Sequence, residues 1–137
     1  ARLQVFLRLG REVLAVARAR NVVPLAFASF DPAAFMEGGT PEAARRWLDV
    51  LAERRRHAAK THSGFWRDLA VRKRRTEVDP LLGTVAALGR ESGVDTPALD
   101  TLIGLVHDIE EGRRRLGADT FNVLLQRCHD LSHHAPA

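Results

Sequence analysis

Apolar residues recur along this chain with the three-to-four-residue period of amphipathic helices, and nowhere with the clean two-residue alternation of a half-buried strand. From the first residues Leu3, Phe6, Leu7, Gly10, Val13, Leu14 and Ala17 keep that period, with Arg2, Arg8, Arg11 and Arg18 on the other side. A helix is predicted to about Arg20, ended by Asn21 with Pro24 close behind. Because the period begins at once, with no N-cap or initiator Met, Ala1 is expected to lie inside a helix begun by upstream sequence. Val22 to Phe30 reads as an apolar connector, extended in part. Asp31-Pro32 opens a short helical turn, Phe30 and Phe35 plug the connector onto the core, and Gly38-Gly39 breaks the chain. Thr40-Pro41 starts a second long helix with Ala44, Trp47, Leu48, Leu51 and Ala52 inside and Arg54-Arg55-Arg56 facing water.

The next stretch, Ser63 to Asp79, is the central and most informative one. It has an apolar front (Phe65, Trp66, Leu69, Ala70, Val71), a basic run (Arg72-Lys73-Arg74-Arg75) and a close on Thr76-Glu77-Val78-Asp79. Thr76 reads as a helix N-cap, with Asp79 in the capping-box position three residues on. Glu77 then falls in the first turn, where unpaired backbone N–H groups and the helix dipole keep a carboxylate ionised. The next helix carries Leu81, Leu82, Val85, Leu88 and Gly89 on one face, with Pro80 limiting its upstream reach and Gly93 as its stop. Thr96-Pro97 caps another, with Leu99, Leu102, Ile103, Val106 and Ile109 in register, closed by Glu110 to Arg115. After Gly117 a last helix places Phe121, Leu124, Leu125, Cys128 and Leu131 inside, and the tail from Ser132 to Ala137 is expected to fray. The whole is an all-α bundle of about five or six helices, residues 1–137 forming one domain.

Composition narrows the function less than the pattern narrows the fold. With 45% hydrophobic and 28% charged residues the chain has the makeup of a globular domain, and its net charge of +4 suits an anionic partner without naming one. One cysteine excludes an internal disulfide, and no apolar run could span a bilayer. Neither a GxGxxG nor a GxxxxGK[ST] loop is present, so the chain has no dinucleotide motif of its own. Cys128, His129, His133 and His134 could be drawn as a metal cluster. Yet Cys128 falls on the apolar face and the histidines crowd the terminus, so no metal site is assigned. His62-Ser63 lacks a nucleophile elbow, and Trp47 and Trp66 read as core anchors. The runs at Arg54–Arg56, Arg72–Arg75 and Arg113–Arg115 are interleaved with core positions and acids, and read as a solvated face rather than a nucleic-acid site.

The arrangement HSGFWRDLAVRKRRTEVD, with LGTVAALGRESGVDTPALDTLIGLV after it, resembles the C-terminal helical domain of the ketopantoate reductase (2-dehydropantoate 2-reductase) family, a 6-phosphogluconate dehydrogenase-like fold. The matching pieces are Ser63 and Asp68, Thr76 to Asp79, and Gly93 to Pro97, supported upstream by REVLAVARARNVVP and FDPAAF and weakening after about Gly117. The resemblance implies an enzyme with an N-terminal Rossmann domain, absent from this chain, that binds NADPH and passes hydride to the ketone of a 2-keto acid in the cytoplasm. It places Glu77 at the cofactor and substrate cleft and makes Ser63 the candidate substrate contact. The isolated chain is expected to be inactive, because the family's proton-donating lysine and substrate-binding asparagines precede the point where it starts; Lys60 and Lys73 do not take that lysine's place. The segment from Asp68 to Glu77 is one residue longer than in typical reductases, which shifts the serine's register, and Pro80 comes directly after the motif. Two other readings stand beside this one: a non-catalytic helical interaction or homodimerisation domain of the same fold, and a basic nucleic-acid-binding module.

Overall fold

The apolar residues of the first helix point in two directions, and this makes it the central element. In a computed structural model describing residues 2–28, 30–60 and 62–133, helix α1 (Arg2–Ala19) turns Val5 toward one cluster and Leu7 and Leu14 toward another. The first cluster joins Val5 to Ala98 and Leu105 of α5 (Pro97–Glu110) and to Leu124 and Cys128 of α6 (Ala118–His133). The second joins Leu7 and Leu14 to Ala34 and Phe35 of a 3₁₀ turn (Pro32–Phe35) and to Ala44 of α2 (Pro41–Arg56). Phe30, Phe35 and Trp47 form an aromatic trio with ring centroids 5.1–5.6 Å apart, the expected plug of the connector. Between α2 and α5 lie α3 (Gly64–Arg67), running on as a π turn (Asp68–Arg72), and a second π turn (Asp79–Gly83) that leads into α4 (Thr84–Glu91). The six α-helices among the described residues confirm the all-α bundle.

A buried carboxylate fixes how α1 and α5 meet. Glu12 is 5% exposed, and its two oxygens accept the backbone N–H groups of Ala98 (3.0 Å) and Leu99 (2.9 Å). These are donors that the first turn of a helix leaves without intrahelical partners, and the anion sits at the positive end of the α5 dipole. Arg8 Nε donates to the same carboxylate at 2.9 Å, so the charge is paired as well as hydrogen-bonded. Thr96 is the α5 cap residue as expected, but its side chain makes no capping bond; Glu12 supplies the acceptor from 86 residues away.

The helix ends obey their chemistry. Gly93 takes φ +72° beyond α4, where its N–H and that of Val94 return to the carbonyls of Arg90 and Gly89, a Schellman closure that a side chain at Gly93 would strain. Gly89 serves by having no side chain: a Cβ there would meet the Val94 carbonyl oxygen at 2.9 Å and Val16 of α1 at 3.1 Å.

Several inner-face expectations give way. Ala52 is exposed and Ala44 is the one buried residue of α2, whose packing partners are α1 and the 3₁₀ turn, so its C-terminal half projects beyond anything to pack on. Leu81 is exposed because the π turn rotates it off the face that Val78 and Ala86 bury. In the connector only Phe30 is anchored; Val22, Val23, Leu25 and Phe27 are 56–80% exposed. A short bridge between Phe27 and Phe30 and a bond from Arg54 Nη1 to the Ala28 carbonyl (2.8 Å) hold its far end.

Removing the Glu12 carboxylate strands two helix N–H groups and one guanidinium. Glu12→Ala is expected to lower unfolding free energy by about 3 kcal/mol. Glu12→Gln, which retains one acceptor oxygen, should lose less. Exposed Glu53, whose carboxylate bonds His57 and Arg56 of its own helix, should tolerate Ala with little change. Urea denaturation of the three variants checks the order.

Candidate functional site

The segment singled out in the sequence is held at two points, and between them one carboxylate is left free. Ser63 caps α3 by accepting the Trp66 N–H at 3.1 Å, which occupies a lone pair of its exposed hydroxyl and leaves the O–H free to donate. After one turn the helix widens into the π turn, and the chain leaves it through Lys73 in the left-handed region (φ +52°). Asp68 is the hub of this exit. Its Oδ1 accepts Arg72 Nη1 (2.9 Å) and Arg74 Nε (2.8 Å), and its backbone oxygen accepts the Lys73 and Arg74 N–H groups. Half of the basic run is thereby folded back onto an acid. A π turn is how a helix absorbs one extra residue, and this one spans Asp68–Arg72.

The second anchor departs from the predicted capping box. The helix begins at Val78, so Thr76 and Glu77 lie just ahead of it rather than as cap and first-turn residue. Thr76 Oγ1 still accepts the Val78 N–H at 3.2 Å, but the reciprocal bond comes from another helix. Glu110, at the end of α5, accepts the Thr76 N–H at 3.1 Å. Asp79 turns away to meet His107 Nε2 at 2.8 Å. Val78 between them is 1% exposed. Two residues of α5, one turn apart, thus hold both flanks of Glu77. Pro80 is tolerated because residue Thr76, whose carbonyl it would crowd in a continuous helix, is already outside the helix. Thr84 Oγ1 donates to the Pro80 carbonyl, at 2.8 Å, that the π geometry leaves over.

Glu77 itself is exposed and its side chain makes no hydrogen bond or ion pair among the described residues, while its backbone carbonyl accepts the Leu81 N–H at 3.2 Å. Its position is fixed and its carboxylate is available. A groove of about 910 Å³ opens nearby, between Trp66, Leu69, Ala70, Lys73 and Arg74 on one wall and Ile109, Glu110 and the α5–α6 loop on the other. Neither Glu77 nor Ser63 lines it. Trp66, expected as a core anchor, is instead a partly exposed groove residue stacked on His62 with ring centroids 3.7 Å apart.

Among the remaining candidates, His129 and His133 share one face of α6 with Nε2 atoms 3.0 Å apart. No group of three or more metal-ligating side chains forms among the described residues, and His134 lies outside them. Cys128 is fully buried, and burial pushes its thiol pKa up. Among the described residues no helix is long and apolar enough to cross a membrane.

The fold is an all-α domain that holds the exposed Glu77 carboxylate beside an interhelical anchor. The family model for the C-terminal domain of ketopantoate reductase (PanE/ApbA) matches residues 1–110, and the chain belongs to that family, a family of oxidoreductases. Comparison with curated proteins and with solved structures returns no match. The match contains Ser63, Asp68 and Thr76 to Asp79, and it ends at Glu110, before the α5–α6 loop and α6.

The residues that hold the segment, Glu110 and His107, were not legible as such. Each looks like an ordinary polar residue at the end of an amphipathic helix, and only the fold brings them 28 to 34 residues back along the chain.

The arginines on Asp68, Arg72 first and Arg74 second, hold its carboxyl below the usual carboxylate range. A folded pKa below the unfolded one means that this stabilisation is present above the unfolded value and is lost as pH falls through the folded one. Asp68→Asn should therefore lower the melting temperature at neutral pH, with the gap to the parent protein closing as pH falls below the carboxylate range. Thermal melts from neutral pH downward test this, and a gap that persists in acid would contradict it.

Proposed function

We propose that this chain is the substrate-side domain of an NADPH-dependent reductase that converts a 2-keto acid, 2-dehydropantoate first among them, to the 2-hydroxy acid. The single observation that carries the reading is Glu77: a free carboxylate, fixed from both sides, in the motif of a chain that belongs to the ketopantoate reductase family. The residues present fit only an edge of the cofactor. No glycine-rich phosphate loop exists here, and one carboxylate can accept a hydrogen bond from a ribose or substrate hydroxyl but cannot cradle a dinucleotide. An N-terminal Rossmann domain is the proposed holder of NADPH, which when bound supplies the hydride for the carbonyl carbon. The carbonyl oxygen takes its proton from a residue of that other part. Glu77 orients the hydroxyl groups at the cleft, and the Ser63 O–H, free to donate, meets the substrate. A cytoplasmic setting belongs to the same reading.

In the protein carrying its nucleotide-binding domain, Glu77→Ala should lower NADPH turnover with 2-dehydropantoate by about two orders of magnitude, while the 137-residue chain alone shows no turnover. An unchanged rate would remove Glu77 from the site.

The exposed apolar connector favours a second reading, a non-catalytic interaction or homodimerisation domain of the same fold. Val22, Val23, Leu25 and Phe27 present apolar surface that neighbouring elements leave uncovered. Retained turnover in the assembled protein excludes the non-catalytic form of this alternative.

A further inference from the structure

The groove beside the anchored segment is unlike the rest of the surface in what it gathers. Two basic runs that lie about forty residues apart in sequence, Arg72–Arg75 and Arg113–Arg115, meet as its opposite walls. Lys73, Arg74, Arg114 and Arg115 line it against one carboxylate, Glu110, and that carboxylate is occupied by the Thr76 N–H. Arg74 is bonded to Asp68, and Arg114 lies 3.4 Å from Asp108. The side chains of Lys73 and Arg115 have no acidic partner among the described residues. Its lining also includes the apolar side chains of Leu69, Ile109 and Leu116 and the indole of Trp66, one face of which stacks on His62. Two unpaired cations beside apolar and aromatic lining suit a ligand that has both a negative head and a flat apolar body.

We propose that this groove binds a small organic oxyanion, a carboxylate or phosphate joined to a planar apolar group, at a site separate from Glu77. Its volume of about 910 Å³ lies within the range of small-molecule pockets. The third basic run, Arg54–Arg56, is on α2, which packs on α1 and the 3₁₀ turn, and it contributes no residue to the groove lining. One wall, Gly112 to Gly117, lies beyond the residues matched by the family model, so the groove as a whole is not part of what the matched domain shares. Lys73 is placed by its left-handed backbone at the exit of the π turn, and Arg115 by a loop tied down at both ends. There the Arg113 and Arg114 N–H groups bond the Asp108 carbonyl, and the Arg115 carbonyl accepts Thr120 Oγ1 at 2.6 Å.

Calorimetric titration of the full chain with 2-naphthoate, 2-naphthyl phosphate and uncharged 2-naphthol tests the assignment. Both anions should bind at least about tenfold more tightly than the naphthol, and the stronger of the two identifies the head group. Lys73→Glu combined with Arg115→Glu should abolish anion binding while the helical circular dichroism is retained. If the double variant does not fold, Lys73→Ala and Arg115→Ala singly should each weaken it severalfold. Glu77→Ala should leave these affinities unchanged, which keeps this result independent of the reductase reading. Equal binding of naphthol and naphthoate, or full affinity in folded charge-reversed protein, would overturn the proposal. So would displacement of the probes by a tighter-binding single-stranded oligothymidylate, which assigns the surface to nucleic acid instead.

Discussion

The bond between the Glu12 carboxylate and the first turn of α5 is the constraint on which the rest of the structure depends. It joins residues 86 and 87 positions apart, and it is directional in a way that apolar packing is not. Val5, Ala98 and Leu105 would tolerate some sliding between α1 and α5, because burial is nearly indifferent to small shifts. Two N–H groups pointing at two oxygens are not indifferent. With Arg8 neutralising the carboxylate, the interaction avoids the cost of an isolated buried charge and fixes the register of the helix that carries the second layer of contacts.

That second layer is the hold of α5 on the motif. His107 and Glu110 lie on the α5 turn farthest from Glu12, and they take Asp79 and the Thr76 N–H. A rigid helix therefore connects the buried clamp at its start with the exposed segment at its end. The same α5 contributes Ile109 and Glu110 to the groove, so the free carboxylate at 77 and the cationic groove are placed by one element although they face different surroundings. Functional positions held by rigid elements rather than by loops keep their geometry without a bound partner.

The range of the forces involved decides which of these features were legible in the sequence. Helix limits, the Thr40 cap, the Gly93 stop and the Phe30–Phe35 plug rest on neighbours within a few residues, and the local pattern shows them directly. The Ser63 cap and the place of Trp47 in the plug emerge only in the structure. The expectation for Trp66 fails because an aromatic residue at helical spacing looks the same whether a second wall closes over it or a groove opens beside it. The expectation for Asp79 fails because a capping box is a local rule, and Glu110 offers the Thr76 N–H an acceptor from across the fold. Glu12 carries no signal at all: among helical arginines it looks like one more surface charge. The Thr76–Asp79 segment is readable because it is contiguous, but the anchors that hold it are remote.

The end of the family match at Glu110 divides the molecule at an informative place. Everything that fixes the Thr76–Asp79 motif, from Glu12 through α5 to Glu110 itself, lies within the matched residues. Beyond Glu110, the arginine-rich loop and α6 add a wall to the core through Leu124 and Cys128 and a wall to the groove through Arg114 to Gly117. The first addition is structural: Val5, Ala98 and Leu105 would face water without it. The second adds nothing to the apolar core, since Arg114 and Arg115 lie on the exposed surface. Arg74 and Arg114 are offset by Asp68 and Asp108, whereas Lys73 and Arg115 have no acidic partner among the described residues, and an anion beside them would lower their self-repulsion. An anion in the groove would therefore meet the unpaired Arg115 on the wall that lies beyond the family match.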